Sequence, residues 1–484
     1  MQLTKLHRWL ILLNVSISIF MATLDGSIVN IALPVMSKEL SVNISSIQWV
    51  VTSYLLSISV LLLIWGKISD LYGKKKVFAF GFIIFTIGSS LCGLSVNLGM
   101  LIASRVIQAI GASSMMALSQ GIITSTFPAS ERGKALGVSG TTVAIGSLVG
   151  PSLGGILVHT LGWKSIFLIN VPIGIIGTIV TFVIIPEIHE APSSKEFDYR
   201  GSVMFVVSIL LLFMGLLFLQ EGNISTVVFI FMFLSAVIIM FFFIKHEREI
   251  ATPLINLSLF KMKVFSIGLS SAFLSFIALS STILFIPFYL QLALKLDPLT
   301  SGLLISSYPL VTAILAPISG WLSDKISFKP LTVAGLALNT LVLFWLSMLN
   351  TNTSRAEIVF LMALLGAGVA IFQSPNNSSI MGCVPRNQLG VAGGINALFR
   401  NLGMVSGTTL SVLLFSISTK ISINNLSDKN SSFDPGIFLV GFRTVLIFAA
   451  FSCFIAVIIS LTRLAGAAGN GEAHYSVDKK VHTK

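Results

Sequence analysis

Asp25 and Arg105 are the residues in this chain whose type and setting point to chemistry. Each lies inside a long apolar run, and of the 18 acidic residues Asp25 alone is far from the ends of such a run. Burial favours the neutral form of a carboxyl group, while a nearby guanidinium favours the charged form. A group balanced between the two can take up and release a proton as its access to water changes. An arginine inside hydrocarbon costs about 3 kcal/mol or more, so Arg105 needs a partner or water. Two readings follow: Arg105 tunes the proton affinity of Asp25, or the two form a permanent ion pair that only fixes packing. No other constellation competes. Cys92, Cys383 and Cys453 are scattered without a CxxC pair, and no two histidines are four apart. No metal site, resident cofactor or catalytic nucleophile–base set is therefore expected. The chain has no GKS or GKT, hence no phosphate-binding loop of its own, which leaves a partner ATPase open.

The elements that hold these residues follow from composition. The 484 residues are 55% hydrophobic and 10% charged, against about 25% charged in soluble proteins. Too few charges remain to cover a water-facing surface, and an all-α polytopic membrane protein is expected. A span needs about 20 mostly apolar residues. Fourteen runs qualify: Leu6–Ala32, Ile47–Ile68, Val77–Val96, Leu98–Ile122, Ala135–Leu157, Ile166–Ile185, Gly201–Leu219, Ser225–Ile244, Val264–Leu290, Leu303–Leu322, Leu331–Leu349, Ile358–Ile380, Val391–Ser418 and Ile437–Leu461. Only Asn97 separates the third from the fourth. The first run is too long, and too interrupted by its acid, for a cleavable signal peptide. With the N-terminus in the cytosol, 21 of the 30 lysines and arginines fall on inner segments and 7 on outer ones. That bias sets the orientation, with both termini cytosolic in a cell membrane. The net charge of +12 then reads as a topology signal facing anionic lipid, with no role for nucleic acid. Trp9, Trp49, Trp65, Trp163, Trp321 and Trp345 all fall near span ends, where indole prefers to sit.

An internal repeat divides the chain. Ser53, Tyr54, Gly66, Ser69 and Asp70 recur as Ser307, Tyr308, Gly320, Ser323 and Asp324, each offset by 254. Two homologous six-helix units are expected at 1–186 and 261–464, with a substrate site between them. Residues 187–260 would supply a linker with two additional spans, and 465–484 a disordered cytosolic tail.

Four motifs carry a resemblance. Gly66-Lys-Ile-Ser-Asp70-Leu-Tyr-Gly73-Lys74-Lys75-Lys76 lies between the second and third spans. Its glycine permits close helix approach, and Asp70 suits a helix N-terminus or a basic side chain. The string resembles the loop signature of the major facilitator superfamily. Gly146-Ser-Leu-Val-Gly150-Pro151-Ser-Leu-Gly154-Gly155 puts three glycines on one face of the fifth span, with a proline that bends it. It resembles the antiporter motif of drug exporters in that superfamily. Arg105-Val-Ile-Gln-Ala-Ile-Gly111 is similar to the span-four motif, whose arginine is tied to proton movement. Leu24-Asp25-Gly-Ser-Ile-Val-Asn30-Ile-Ala-Leu-Pro34 looks like the first-span motif of the fourteen-span drug:proton antiporters, the QacA/EmrB type.

The resemblance implies a major facilitator fold: two six-helix bundles plus two central helices. It implies proton-coupled efflux of amphipathic drugs or toxic compounds by alternating access, with the proton gradient as energy source. The same mechanism serves equally for export of one physiological metabolite, peptide or lipid-like compound. Asp25 and Arg105 would couple the proton. Gly66, Asp70, Gly73, Lys74 and Asp324 would form the cytosolic gate. Asn30, Tyr54 and Arg400 are candidates for the substrate cavity, and Asn376 and Asn377 for gate packing. One embedded acid, and none in the tenth span, points to neutral or monocationic substrates. The lipid bilayer is the only other partner required, no protein partner is needed, and a bacterial source is expected. An importer, a receptor retaining the fold and an enzyme are weaker alternatives.

Overall fold

The computed structural model describes residues 4–42, 44–187, 196–221, 225–250, 252–420 and 435–465. The tail expected to be disordered lies, apart from residue 465, outside the described residues. So do residues 188–195 of the linker.

Among the described residues, fourteen helices are long and apolar enough to span a membrane. We label them α1 (Lys5–Glu39), α2 (Ser46–Tyr72), α3 (Lys74–Leu94), α4 (Leu98–Thr126), α5 (Ala129–Leu161), α6 (Ser165–Ile184) and α7 (Tyr199–Leu219). The remainder are α8 (Thr226–Glu249), α9 (Lys263–Ala293), α10 (Thr300–Ile326), α11 (Phe328–Leu346), α12 (Arg355–Gly382), α13 (Arg386–Thr419) and α14 (Gly436–Arg463). No strand occurs among the described residues. The fold is all-α, as the composition required.

Several helices outrun the apolar runs that signalled them. α1 continues through Pro34 to Glu39, because Leu33, Val35 and Met36 pack onto Ile47, Val50, Trp163 and Phe167. α5 begins six residues before the apolar run, with Glu131 and Arg132 in its first turns. Charged residues end hydrophobicity without ending a helix. Gly73, at φ 97°, makes the one-residue corner between α2 and α3. The α3–α4 break is set by Asn97, whose side chain caps α4 by accepting from Met100 N–H at 2.8 Å; a short polar side chain outcompetes the helix here.

Helices α1–α6 pack on one another, as do α9–α14, and glycine brings them close in both sets. A Cβ on Gly81 would meet Gly111 O, and one on Gly335, 254 residues later, would meet Gly368 O. α7 and α8 pair with each other, and α7 rests on α2 and α13. α8 leaves Val227, Phe231 and Phe241 at 75%, 71% and 64% exposure, a surface suited to lipid. Trp163 Nε1 donates to Glu39 at 2.8 Å and Trp345 Nε1 to Glu357 at 3.0 Å. Each indole thus meets a carboxylate at a span end.

The two sets meet on the face that carries the Gly73 corner. Asp70 accepts from Gly390 N–H and Val391 N–H at 2.9 Å each, at the start of α13. Asp324 accepts from Gly133 N–H at 2.8 Å and Lys134 N–H at 3.0 Å, at the start of α5. The sequence repeat is therefore also a reciprocal exchange of carboxylate caps, each placed where a helix N-terminus favours negative charge. Lys74 Nζ adds an ion pair to Asp70 at 3.6 Å. Gly66 lies on Gly390 and Gly320 on Gly133, backbone against backbone. Further bonds between the sets, from Asn396 to Gln120, Asn401 to Ser59 and Thr141 to Ala313 O, continue to the middle of the bundle.

Candidate functional site

The centre of α1–α6 holds a polar cluster closed from solvent. Asp25, Arg105, Gln108, Asn170 and Ser89 are each 0% exposed. Arg105 Nη1 donates to Asp25 Oδ2 at 2.5 Å and to Gln108 Oε1 at 2.7 Å, and its Nε donates to Val50 O at 3.0 Å. Gln108 Nε2 donates to Asp25 Oδ1 at 2.9 Å and to Ser89 Oγ at 2.8 Å. Asn170 Nδ2 reaches Asp25 Oδ1 at 3.3 Å. The guanidinium carbon stands 3.9 Å over the Tyr54 ring and 5.6 Å from that of Phe167. Those π faces stabilise a cation that has left water. Arg105 Nη2, Asn170 Oδ1 and the Tyr54 hydroxyl are buried without a well-formed hydrogen bond.

Local sequence explains this convergence. Gly88 of α3 lies against the backbone of Gln108, and Gly111 lies against Phe85. With no side chains between them, α3 and α4 cross closely enough for Ser89 to bond Gln108. Gln108 follows Arg105 by three residues, so both share a helix face. α6 is interrupted at Ile169, and the new helical segment opens with Asn170 beside Asp25.

The glycines of α5 pack onto the turn of α1 that carries Asp25. A Cβ at Gly146 would meet Thr23, one at Gly150 would meet Ser27, and one at Gly154 would meet Ile28. Ser27 Oγ also donates to Gly146 O at 3.2 Å. Gly155 has no such neighbour, and Pro151 is exposed within the helix. Three of the four motif glycines therefore set the α1–α5 distance, and Gly155 does not.

The three residues expected to line a cavity occupy different settings. Tyr54 is 2% exposed and forms a wall of the Asp25 cluster. Asn30 is exposed and bonds within its own helix, to Gly26 O at 3.4 Å. Arg400 is half-buried on α13. Asp25 accepts from three protein donors inside a closed cluster, so it is not presented to a cationic ligand in this conformation. Asn376 holds Arg463, accepting at 3.2 Å, and donates to Gly268 O at 3.1 Å, a packing role at the end of α12. Sequence reasoning did not single out Gln108, Asn170 or Ser89. Gln108 and Asn170 were visible as amides inside apolar runs.

Comparison with known proteins gives this architecture a family. The profile described as Major Facilitator Superfamily matches residues 15–408 and 268–474. The riboflavin transporter RibZ of Clostridioides difficile is 35% identical over 457 residues, covering 94% of this chain and 97% of the relative. The multidrug resistance protein Stp of Mycobacterium tuberculosis is 30% identical over 401 residues, covering 82% of this chain and 74% of that one. The crystal structure of the human organic anion transporter MFSD10 superposes with a TM-score of 0.68 at 13% identity, covering 94% of this chain and 99% of that one. The chain is thus a multi-pass membrane transporter and not an enzyme. It belongs to the Major Facilitator Superfamily, with the fourteen-span layout of that family's drug:proton antiporters.

Proposed function

We propose that the chain exports small amphipathic compounds in exchange for protons by alternating access, with both termini in the cytosol of a bacterial cell membrane. The observation that carries this reading is the set of bonds to Asp25. All three groups on its carboxylate are donors. A protonated carboxyl has an O–H that needs an acceptor, and none of the three atoms bonded to the carboxylate is one. Asn170 Oδ1 is a buried acceptor without a partner, and turning that amide would receive the new O–H. Protonation then loosens Arg105 from α1. Because α5 rests on the same turn of α1, rearrangement there reaches the α5–α10 contact between the two bundles. The carboxylate caps at Asp70 and Asp324 hold the two bundles together on the cytosolic face in the state described.

Purified protein in liposomes under an imposed pH gradient tests this. Movement of a fluorescent substrate should follow the gradient and stop when the gradient is collapsed. Transport indifferent to the gradient would refute proton coupling. RibZ supports a second reading, in which one metabolite such as a flavin is the cargo. Sharp selectivity for one compound across a chemical panel would favour it over a broad range.

A further inference from the structure

The charge inventory of the central passage points away from cations. Arg400 lies within one turn of the middle of α13. Gly393, seven residues earlier, packs on Ala117 O of α4. Asn396, four residues earlier, donates to Gln120 of α4 at 2.8 Å and to Asn377 of α12 at 3.0 Å. Residues separated by four and seven share a helix face, so Arg400 faces α4 one turn beyond that bridge. The bridge of Gln120, Asn396 and Asn377 links the two bundles, and Arg400 lies half-buried one turn beyond it. Farther along, α13 turns to its own bundle: Gly403 packs on Phe273 and Gly407 on Ile277. Among the described residues Arg400 has no hydrogen-bond or ion-pair partner. The other deep arginines are held, Arg105 by Asp25 and Arg463 by Asn376 and Val264 O.

We infer that Arg400 is a substrate anchor and that the cargo carries an oxygen anion, such as a carboxylate or sulfonate, on an amphipathic body. A guanidinium presents a fork of donors that matches such a group. The amides beneath it offer further polar contacts, and the single deep acid is sealed away from the passage. The assignment deepens the transport reading by naming the class of cargo.

A matched set with one aromatic body tests it: naphthylacetate, naphthylacetamide and naphthylethylammonium. Binding is read as a thermal shift of the purified full chain in detergent at neutral pH, before any flux assay. The wild-type chain should be protected by the acetate and not by the ammonium compound, with the amide between. Arg400→Gln should weaken acetate binding by about tenfold or more, the loss of a charged hydrogen-bonded contact, and Arg400→Lys should retain part of it. Equal protection by the ammonium compound, no protection by any of the three, or unchanged acetate binding in Arg400→Gln would overturn the assignment. The wild-type comparison needs no variant, so it stands even where Arg400→Gln does not fold. Flux separates the two readings: acetate that binds but does not move with a pH gradient would sink proton coupling and leave Arg400 as the anchor.

Discussion

Asp25→Asn is the perturbation with the clearest arithmetic. The substitution keeps shape but replaces one carboxylate oxygen by an NH2 group in a pocket where every neighbour of the carboxylate is a donor. One of those donors then faces another donor unless the Asn170 amide turns its oxygen inward. Arg105 loses its counter-ion while still 0% exposed. Breaking a buried ion pair from one side costs about 3–5 kcal/mol. Arg105 retains Val50 O, Gln108 Oε1 and the Tyr54 face, which places the loss at the lower end, about 3 kcal/mol. Arg105→Gln alone should cost at least as much, because it leaves an anion behind. The double variant should be less destabilised than the sum of the singles by about 2 kcal/mol or more, the sign of direct coupling. Thermal unfolding in detergent reads all three. In liposomes, Asp25→Asn should abolish flux driven by a pH gradient while exchange of labelled for unlabelled substrate persists. Gradient-driven transport at the wild-type rate would refute the role of Asp25. Additive single-variant losses would refute the ion pair as a unit.

Other outcomes follow from neighbouring geometry. Gly150→Val places a branched side chain where Ser27 already stands, and should cost about 1–3 kcal/mol by overpacking, with a lower unfolding temperature and slower transport. Burial pushes the Cys383 thiol up to about 11, so the reactive thiolate is scarce at neutral pH. Maleimide labelling of Cys383 should rise about tenfold per pH unit between pH 7 and 10, and a flat profile would contradict that burial. Asp70→Asn or Asp324→Asn removes a charged cap that helix termini value at about 0.5–2 kcal/mol, and should speed Cys383 labelling at fixed pH by opening that face. At the foot of α7, burial opposes the charge of Asp198, but bonds from Gly201 N–H and His246 hold its carboxyl below the ordinary value. Its contribution is full above the ordinary carboxylate pKa and is lost as pH falls through the depressed one. His246→Ala should cost about 1 kcal/mol at neutral pH and reduce that acid-side loss, read by unfolding between pH 3 and 7.

Much of the architecture was legible in the residues themselves, because the bilayer imposes length and polarity on each helix separately. Fourteen apolar runs became fourteen spans. Asp25 and Arg105 stood out for the same reason: charge inside hydrocarbon has no cheap explanation. The reach of α5 past its apolar run to Ala129 was hidden, because its polar first turns meet Asp324, which arrives from the other bundle. Whether Asp25 meets Arg105, and that Gln108 and Asn170 complete its bonds, was likewise settled by tertiary structure. Those residues lie 80 and more positions apart, and their distances depend on how closely α3 crosses α4 and α5 crosses α1. The availability of each charge was decided in the same way. A sequence shows that Asp25 and Arg400 are both embedded, but only packing closes three donors around the acid and leaves the arginine without such a bond among the described residues. Local patterning dictates what each helix is, and the sum of close approaches between helices dictates which of its polar groups remain free to bind.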